Sequence, residues 1–369
     1  MKKIGIITIT GGLNLGNSLQ NYALQKFLCN MGLEAETILN KKYCLLQPFS
    51  WREFFKYNTI KRVLAISFNI NGYRSTLLEG LKRQENYLIF NKNIRFAKSF
   101  FKGDTFIELE NFDFFIVGSD QVWNPNFKIS ENMFLSFTED NKKISYAASF
   151  GCESLTEKQK LLFKNKLKSF KAISVREQKG KELLDDILPN KSIKVLVDPT
   201  LLISKKIWRE VEIKPKWYIP KKYILTYFLG EVSNDLKRLI EEFAKNRKLE
   251  IINILDKNNN DWYKVGPGEF LYLIRMADYM ITDSFHGTVF SIIMNKKFMV
   301  LKRKISREGN MISRIESLLN LFNLNNHLLN ECNYGIICEI LNYRDIDIDK
   351  ILEKERKSAE DFLRKALEI

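Results

Sequence analysis

The chain has 369 residues, 45% hydrophobic and 12% aromatic, enough for one large domain or two of ordinary size with sizeable cores. That composition excludes disorder, and 17 Gly with 7 Pro exclude collagen-like and linker classes. Lys+Arg at 59 against Asp+Glu at 44 leaves +15, which predicts an anionic partner among phosphates, nucleic acid, anionic lipid and acidic saccharide without choosing one.

Met1 to Thr10 is a short Ile/Thr run too brief for the core of a signal peptide, so it predicts a buried first strand. No stretch reaches the ~18 to 20 apolar residues of a membrane span. The expectation is a soluble cytoplasmic chain whose Lys-rich surface can associate with the inner face of a membrane. Cys29, Cys44, Cys152, Cys332 and Cys338 are sparse and unpaired in spacing, as in a reducing compartment. Neither His286 nor His327 has zinc-ligand spacing, so no metal-ligand residues are assigned, while magnesium, which needs only carboxylates and phosphate, stays open.

Short apolar runs alternate with amphipathic stretches, the pattern of βαβ units around parallel sheets. Strands are predicted near Lys3–Ile9, Ala35–Leu39, Asp113–Val117, Lys143–Ala148, Ala172–Val175 and Lys194–Val197. Residues of about 43–106 form an aromatic, basic insertion predicted to be helical. Pro199, Pro215 and Pro220 mark a junction. A second series follows near Tyr223–Leu229, Glu250–Leu255, Tyr279–Thr282 and Phe298–Leu301. The expected units are two doubly wound Rossmann-like domains, 1–200 and 201–345, with a helix at 346–369 packing back across the junction.

Chemistry is expected where strands end. Gly11 to Ser18 lies between the first strand and a helix read as Leu19–Met31, where backbone N–H groups can approach an anion. It matches neither a dinucleotide fingerprint nor a Walker loop, and Asn17 and Gln20 are its polar candidates. Phe112 to Pro125 runs from an apolar strand into Asp120, Gln121, Trp123 and Asn124, which suit a sugar ring; alternatively Asp120 caps a helix and Trp123 is core. Arg176 leaves an apolar strand and either clamps a carboxylate or phosphate or pairs with Glu177. His286 sits at a strand-to-helix switch beside Asp283 and Ser284, a position suited to acid/base work. Beyond it Lys296, Lys297, Lys302, Arg303, Lys304 and Arg307 precede Asn310, Ser313 and Arg314 at a helix start. Cations beside a histidine and a helix N-terminus make an anion pocket; a nucleic-acid groove would interleave aromatics, so no nucleic acid is expected.

In order, the segments Gly11–Gln25, Val117–Asn124, Ser145–Gly151, Ser174–Glu177, Val197–Thr200, Asp283–Thr288 and Ser313–Leu319 resemble the polysaccharide pyruvyl transferase family. The resemblance implies a GT-B-like fold, α/β with two Rossmann-like domains and a cleft between them. It implies transfer of the pyruvyl group of phosphoenolpyruvate to two hydroxyls of a saccharide, giving a cyclic ketal and phosphate, with phosphoenolpyruvate as co-substrate and no cofactor. His286 matches the motif histidine and is expected to be the general acid; Arg176 looks like the donor-binding arginine. Donor contacts are expected from Ser284, Gly287, Thr288, Arg303, Asn310, Ser313 and Arg314, and acceptor contacts from Asn17, Gln20, Asp120, Gln121, Trp123 and Asn124, the acceptor being lipid-linked or free. Members of the family can carry arginine two residues before the histidine; this chain has Ser284 there, which moves donor contacts to Arg303, Arg307 or Arg314. The alternative is a nucleotide-sugar glycosyltransferase on the same fold, and a third reading is a binding protein without catalysis.

Overall fold

A computed structural model describes residues 1–10, 12–41, 73–127, 129–303, 312–342 and 348–369. The first half is built on an eight-stranded sheet. Its strands are β1 (Lys3–Ile7), β2 (Glu34–Asn40), β3 (Phe96–Lys102), β4 (Thr105–Ile107), β5 (Phe114–Asp120), β6 (Lys143–Ala148), β7 (Ala172–Val175) and β8 (Ile193–Val195), in the order β4-β3-β2-β1-β5-β6-β7-β8. All neighbours are parallel except the β3–β4 pair. Every residue of β5 and β6 is buried, as expected of central strands covered by helices on both faces.

The second half holds β9 (Tyr223–Tyr227), β10 (Glu250–Ile254), β11 (Tyr279–Thr282), β12 (Lys297–Leu301) and β13 (Leu328–Leu329), all parallel, in the order β10-β9-β11-β12-β13. Strand order reverses between β1 and β5 in one sheet and between β9 and β11 in the other. Ligands of open α/β sheets bind outside the carboxyl ends of strands at such switch points.

Helix α1 (Leu15–Asn30) is capped by Asn14, whose side chain accepts from Asn17 N–H. It begins four residues earlier than expected, because Leu15 and Leu19 are both fully buried and draw the first turn onto the core. Helix α2 (Tyr73–Asn91) lies within the expected insertion, but the segment ends in β3 and β4 rather than in helix. The rest of the insertion, 43–72, lies outside the described residues.

The halves share one aromatic core. Trp208, in the short helix Lys205–Glu210, is fully buried between Tyr22 of α1 and Phe290, with centroids at 5.6 and 4.9 Å. Phe90 of α2 adds an edge to Tyr22 at 5.8 Å. Fully burying such side chains contributes about 1.5–3 kcal/mol each, and here the contribution also fixes one half against the other. The last helix, Ile348–Leu367, runs beside both: Arg356 donates to the carbonyls of Leu201 and Ile203 at 2.9 and 3.0 Å, and Lys2 Nζ to that of Leu367 at 2.7 Å. No described helix is long and apolar enough to cross a membrane.

Candidate active site

The site lies where the two switch points face each other. From the second half comes the helix Phe285–Ile293, whose first turn carries His286 and whose N-cap is Ser284, accepting from Gly287 N–H at 3.3 Å. From the first half comes the first turn of α1 with Gly16. A Cβ on Gly16 would stand 1.9 Å from His286 Nδ1, so glycine is required there for the imidazole to seat. Two helix N-termini therefore converge on one place, and each favours an anion.

Asp198 is the hub. Its Oδ2 accepts from Arg176 Nη1 at 2.7 Å and from Ser119 Oγ at 3.2 Å, and lies 3.8 Å from His286 Nε2, beyond hydrogen-bond range. Its Oδ1 accepts from Thr200 N–H at 3.0 Å and Thr200 Oγ1 at 2.6 Å. Trp208 Nε1 in turn donates to the Thr200 carbonyl at 3.2 Å, which joins the site to the shared core. Asp120 closes β5 in a left-handed conformation, φ 64°, which is costly for a residue other than glycine. Its Oδ1 accepts from Arg176 Nη2 at 3.1 Å and stands 3.6 Å from Arg314 Nη1.

Arg176 is thus held by two carboxylates, with Glu177 Oε2 3.9 Å from its Nε and the Phe285 ring 4.3 Å away. Its side chain is 2% exposed. Of the two readings open at this residue the geometry records ion pairing, with Asp198 and Asp120 rather than Glu177 occupying its Nη groups. Burial would depress the guanidinium, yet Asp120, Asp198 and Glu177 raise it.

Arg314 is different. Burial, and next Arg176, push it down to about 10, with Asp120 opposing. With the Gln121 amide oxygen turned toward it, Nη1 and Nη2 both donate there at 3.1 Å. Among the described residues Arg314 Nε, Ser313 Oγ, His286 Nε2, Arg176 Nε and Glu177 Oε2 are buried without a hydrogen-bond partner. Unsatisfied buried polar atoms are costly, and a set of them at facing switch points marks where a polar ligand would complete the network. His286 is held neutral: burial lowers it, against Asp198 and Asp120, which favour the imidazolium. For Asp120 and Asp198 burial alone would raise the carboxyl, but the neighbouring cations outweigh it and keep both below the usual range.

The remaining predicted residues divide. Gln20 is wholly buried as a brace, donating to Thr8 Oγ1 at 2.7 Å and accepting from Ser119 N–H at 3.1 Å. Asn17 is buried in the first turn of α1, its Oδ1 unpartnered among the described residues. Asn124 Oδ1 accepts from Asn126 N–H at 2.9 Å. Trp123, expected on the acceptor side, is instead core: it is 0% exposed, donates to the Met133 carbonyl and packs on Phe150 and Phe170. Gly287 and Thr288 shape the helix start. A Cβ on Gly287 would meet Thr282 Oγ1 at 2.5 Å, and Thr288 Oγ1 donates to the Ser284 carbonyl. Arg303 pairs with Asp283.

The described residues of the basic run do not form one patch. Lys296 binds the Ala277 carbonyl and Lys297 lies over Tyr279, both at the amino ends of β11 and β12, away from the site; Lys302 pairs with Glu316. Asn310, with Lys304 and Arg307, lies outside the described residues. Glu177, expected only as a possible partner of Arg176, and Asp198, to which no role was given, carry much of the geometry. Asp198 was legible as an acid followed by Pro-Thr at a strand exit, and Glu177 as the acid after Arg176. His327 is structural, with Nδ1 2.8 Å from the Phe298 carbonyl and its ring stacked on Phe298. Among the described residues no His, Cys, Asp and Glu side chains are grouped as metal ligands.

The Gly16–His286 contact gives a direct test. In a free helix alanine is favoured over glycine by about 1 kcal/mol, but here Gly16→Ala should destabilise by about 1–3 kcal/mol through overpacking. In a His286→Ala background that cost should vanish. Denaturant unfolding of the two single variants and the double variant measures the coupling, and additive effects would contradict the contact.

The matching family model is that of polysaccharide pyruvyl transferases and covers residues 14–304, a span that contains Gly16, Asp120, Arg176, Asp198 and His286. No curated protein matches the chain. Among solved structures it is similar to the UDP-GlcNAc 2-epimerase of Methanocaldococcus jannaschii, at 14% identity over 99% of each chain with a TM-score of 0.50. It is also similar to the Neisseria meningitidis UDP-GlcNAc 2-epimerase, at 13% identity over 99% and 100% of the chains with a TM-score of 0.46. A glycosyltransferase from Streptomyces nogalater shows 10% identity over 99% of each chain and a TM-score of 0.40. At such identities the first of these likenesses speaks for the GT-B-like fold alone, in agreement with the two switch-point sheets. With most of its length covered by the family model and the motif residues assembled at one site, the chain belongs to the polysaccharide pyruvyl transferase family.

Proposed function

We propose that the protein transfers the pyruvyl group of phosphoenolpyruvate to two hydroxyls of one saccharide, forming a cyclic ketal in surface or capsular polysaccharide biosynthesis. The observation that carries the reading is the buried Arg314, depressed to about 10 and within reach of the same carboxylate network as the unpartnered His286 Nε2. A buried guanidinium short of anions suits a small donor that bears both a phosphate and a carboxylate. Arg176, already paired, is a positioning residue that holds Asp120 and Asp198 in place.

In this mechanism His286, protonated in the donor complex, gives its proton to the enol methylene, which becomes a methyl group. The adjacent carbon takes on oxocarbenium character, stabilised by Asp120 and Asp198. One saccharide hydroxyl adds there, the bond from that carbon to the bridging oxygen breaks, and phosphate leaves with that oxygen. The second hydroxyl closes the ketal. Of the two protons released from the hydroxyls, one restores His286 and the other leaves with phosphate or water. Acceptor contacts fall to Asp120, Gln121 and Asn17, the acceptor being a lipid-linked or free glycan; the Lys-rich surface would hold the enzyme near anionic lipid at the inner membrane face.

Incubation with phosphoenolpyruvate and a panel of galactosides, glucosides and mannosides should release phosphate and yield a product with the mass of a pyruvate ketal. His286→Ala should lower kcat/KM at least 100-fold, about 3 kcal/mol of transition-state stabilisation, with unfolding unchanged in cooperativity. Turnover with a nucleotide sugar and none with phosphoenolpyruvate would overturn the reading.

A second outcome concerns protons. In the free protein the His286 pKa lies below its ordinary 6.5, so the imidazole is neutral at pH 7.5; donor anions beside it favour the charged form. Binding of phosphoenolpyruvate at that pH should therefore take up protons, and His286→Ala should abolish the uptake. Calorimetry in buffers of different ionisation enthalpy measures it, and binding without proton uptake would contradict the acid role.

A further inference from the structure

The switch point of the second sheet, between β9 and β11, is where an open α/β sheet would receive a ligand's phosphates on loop amides. Here those amides already hold an anion. Leu229 N–H and Gly230 N–H donate to Asp283 Oδ1 and Oδ2, each at 2.7 Å. Arg303 closes the other side, its Nε donating to Asp283 Oδ2 at 3.0 Å and its Nη2 to the Asp283 carbonyl at 2.9 Å. Gly230 permits the close fit: a Cβ there would stand 2.6 Å from Arg303 Cγ and 3.0 Å from Asp283 Oδ2. The Asp283 side chain is 5% exposed. Two amides and a guanidinium around one buried carboxylate are the donor set that a phosphate group would otherwise attract.

We propose that Asp283 is a specificity-determining residue, a built-in anion that fills the β9–β11 switch point and keeps the diphosphate of a nucleoside diphosphate or nucleotide sugar out of this half. Any incoming diphosphate meets a like charge and must displace the hydrogen bonds at Leu229, Gly230 and Arg303 to bind. The inference goes beyond the donor reading above, because it states what the second half refuses and does not need phosphoenolpyruvate to be the donor.

The test uses binding, not turnover. Isothermal titration of UDP and of inorganic pyrophosphate into the full chain should show no saturation at millimolar ligand for the natural protein. Asp283→Ala, checked for folding by circular dichroism, should gain at least about tenfold in affinity for one or both ligands, as freed amides and Arg303 become available. Asp283→Asn keeps the shape without the charge and should gain less; it decides the matter if the alanine variant does not fold. Micromolar binding by the natural protein, or folded variants with no gain, would overturn the proposal. Neither result depends on whether phosphoenolpyruvate is turned over.

Discussion

One buried carboxylate organises the cleft. Asp198 is 1% exposed and gathers Arg176, Ser119 and Thr200 by hydrogen bonds, with His286 just beyond them. Ser119 is the penultimate residue of β5, Arg176 follows β7, and Thr200 is tied to Trp208 in the core shared by both halves. Leaving such a charge unpaired in low dielectric would be strongly destabilising, so the strand ends that supply its partners must arrive together. The same group that stabilises the junction thereby fixes the place where His286 enters from the other half.

The electrostatics follow from that arrangement. Asp120, Asp198 and Glu177 face Arg176 and Arg314, so the cluster is not the cationic funnel that a net charge of +15 suggests. Of the described basic residues after His286, Lys296 and Lys297 lie at the amino ends of the strands and Lys302 pairs with a surface acid. What remains for a donor is local: a buried guanidinium, still charged though lowered to about 10, a neutral histidine able to take up a proton, and two helix N-termini. A small phosphorylated carboxylate suits that place better than a polyanion, which would need an extended positive surface.

Much of the architecture was legible because parallel strands buried on both faces read as unbroken apolar runs, as in Phe114–Val117 and Tyr279–Ile281. Strand β3 was not: Phe96–Lys102 places its apolar residues in pairs at 96/97 and 100/101, a near-helical spacing without strict alternation, inside an aromatic, Lys-rich segment that resembles an amphipathic helix. The α1 boundary was missed because Gly16 reads as loop, whereas its purpose is to make room for His286, a neighbour 270 residues away in sequence. His286, Arg176 and Arg314 stood out by residue type and position at strand ends and helix starts. Trp123 misled for the same reason, since only its distant partners Phe150 and Phe170 make it core. Glu177 was legible only as a possible partner of Arg176, and Asp198 drew no role from sequence, because a carboxylate's importance here comes from its partners across the sheet, which periodicity does not encode.

The central claim is that the donor is anchored between Arg314 and His286. A crystal structure of the protein with phosphoenolpyruvate bound tests it most directly. The account predicts donor phosphate or carboxylate oxygens within hydrogen-bond distance of the Arg314 guanidinium, with the methylene carbon beside His286 Nε2. A donor bound at Leu229 and Gly230 in place of Asp283, with Arg314 uncontacted, would contradict it.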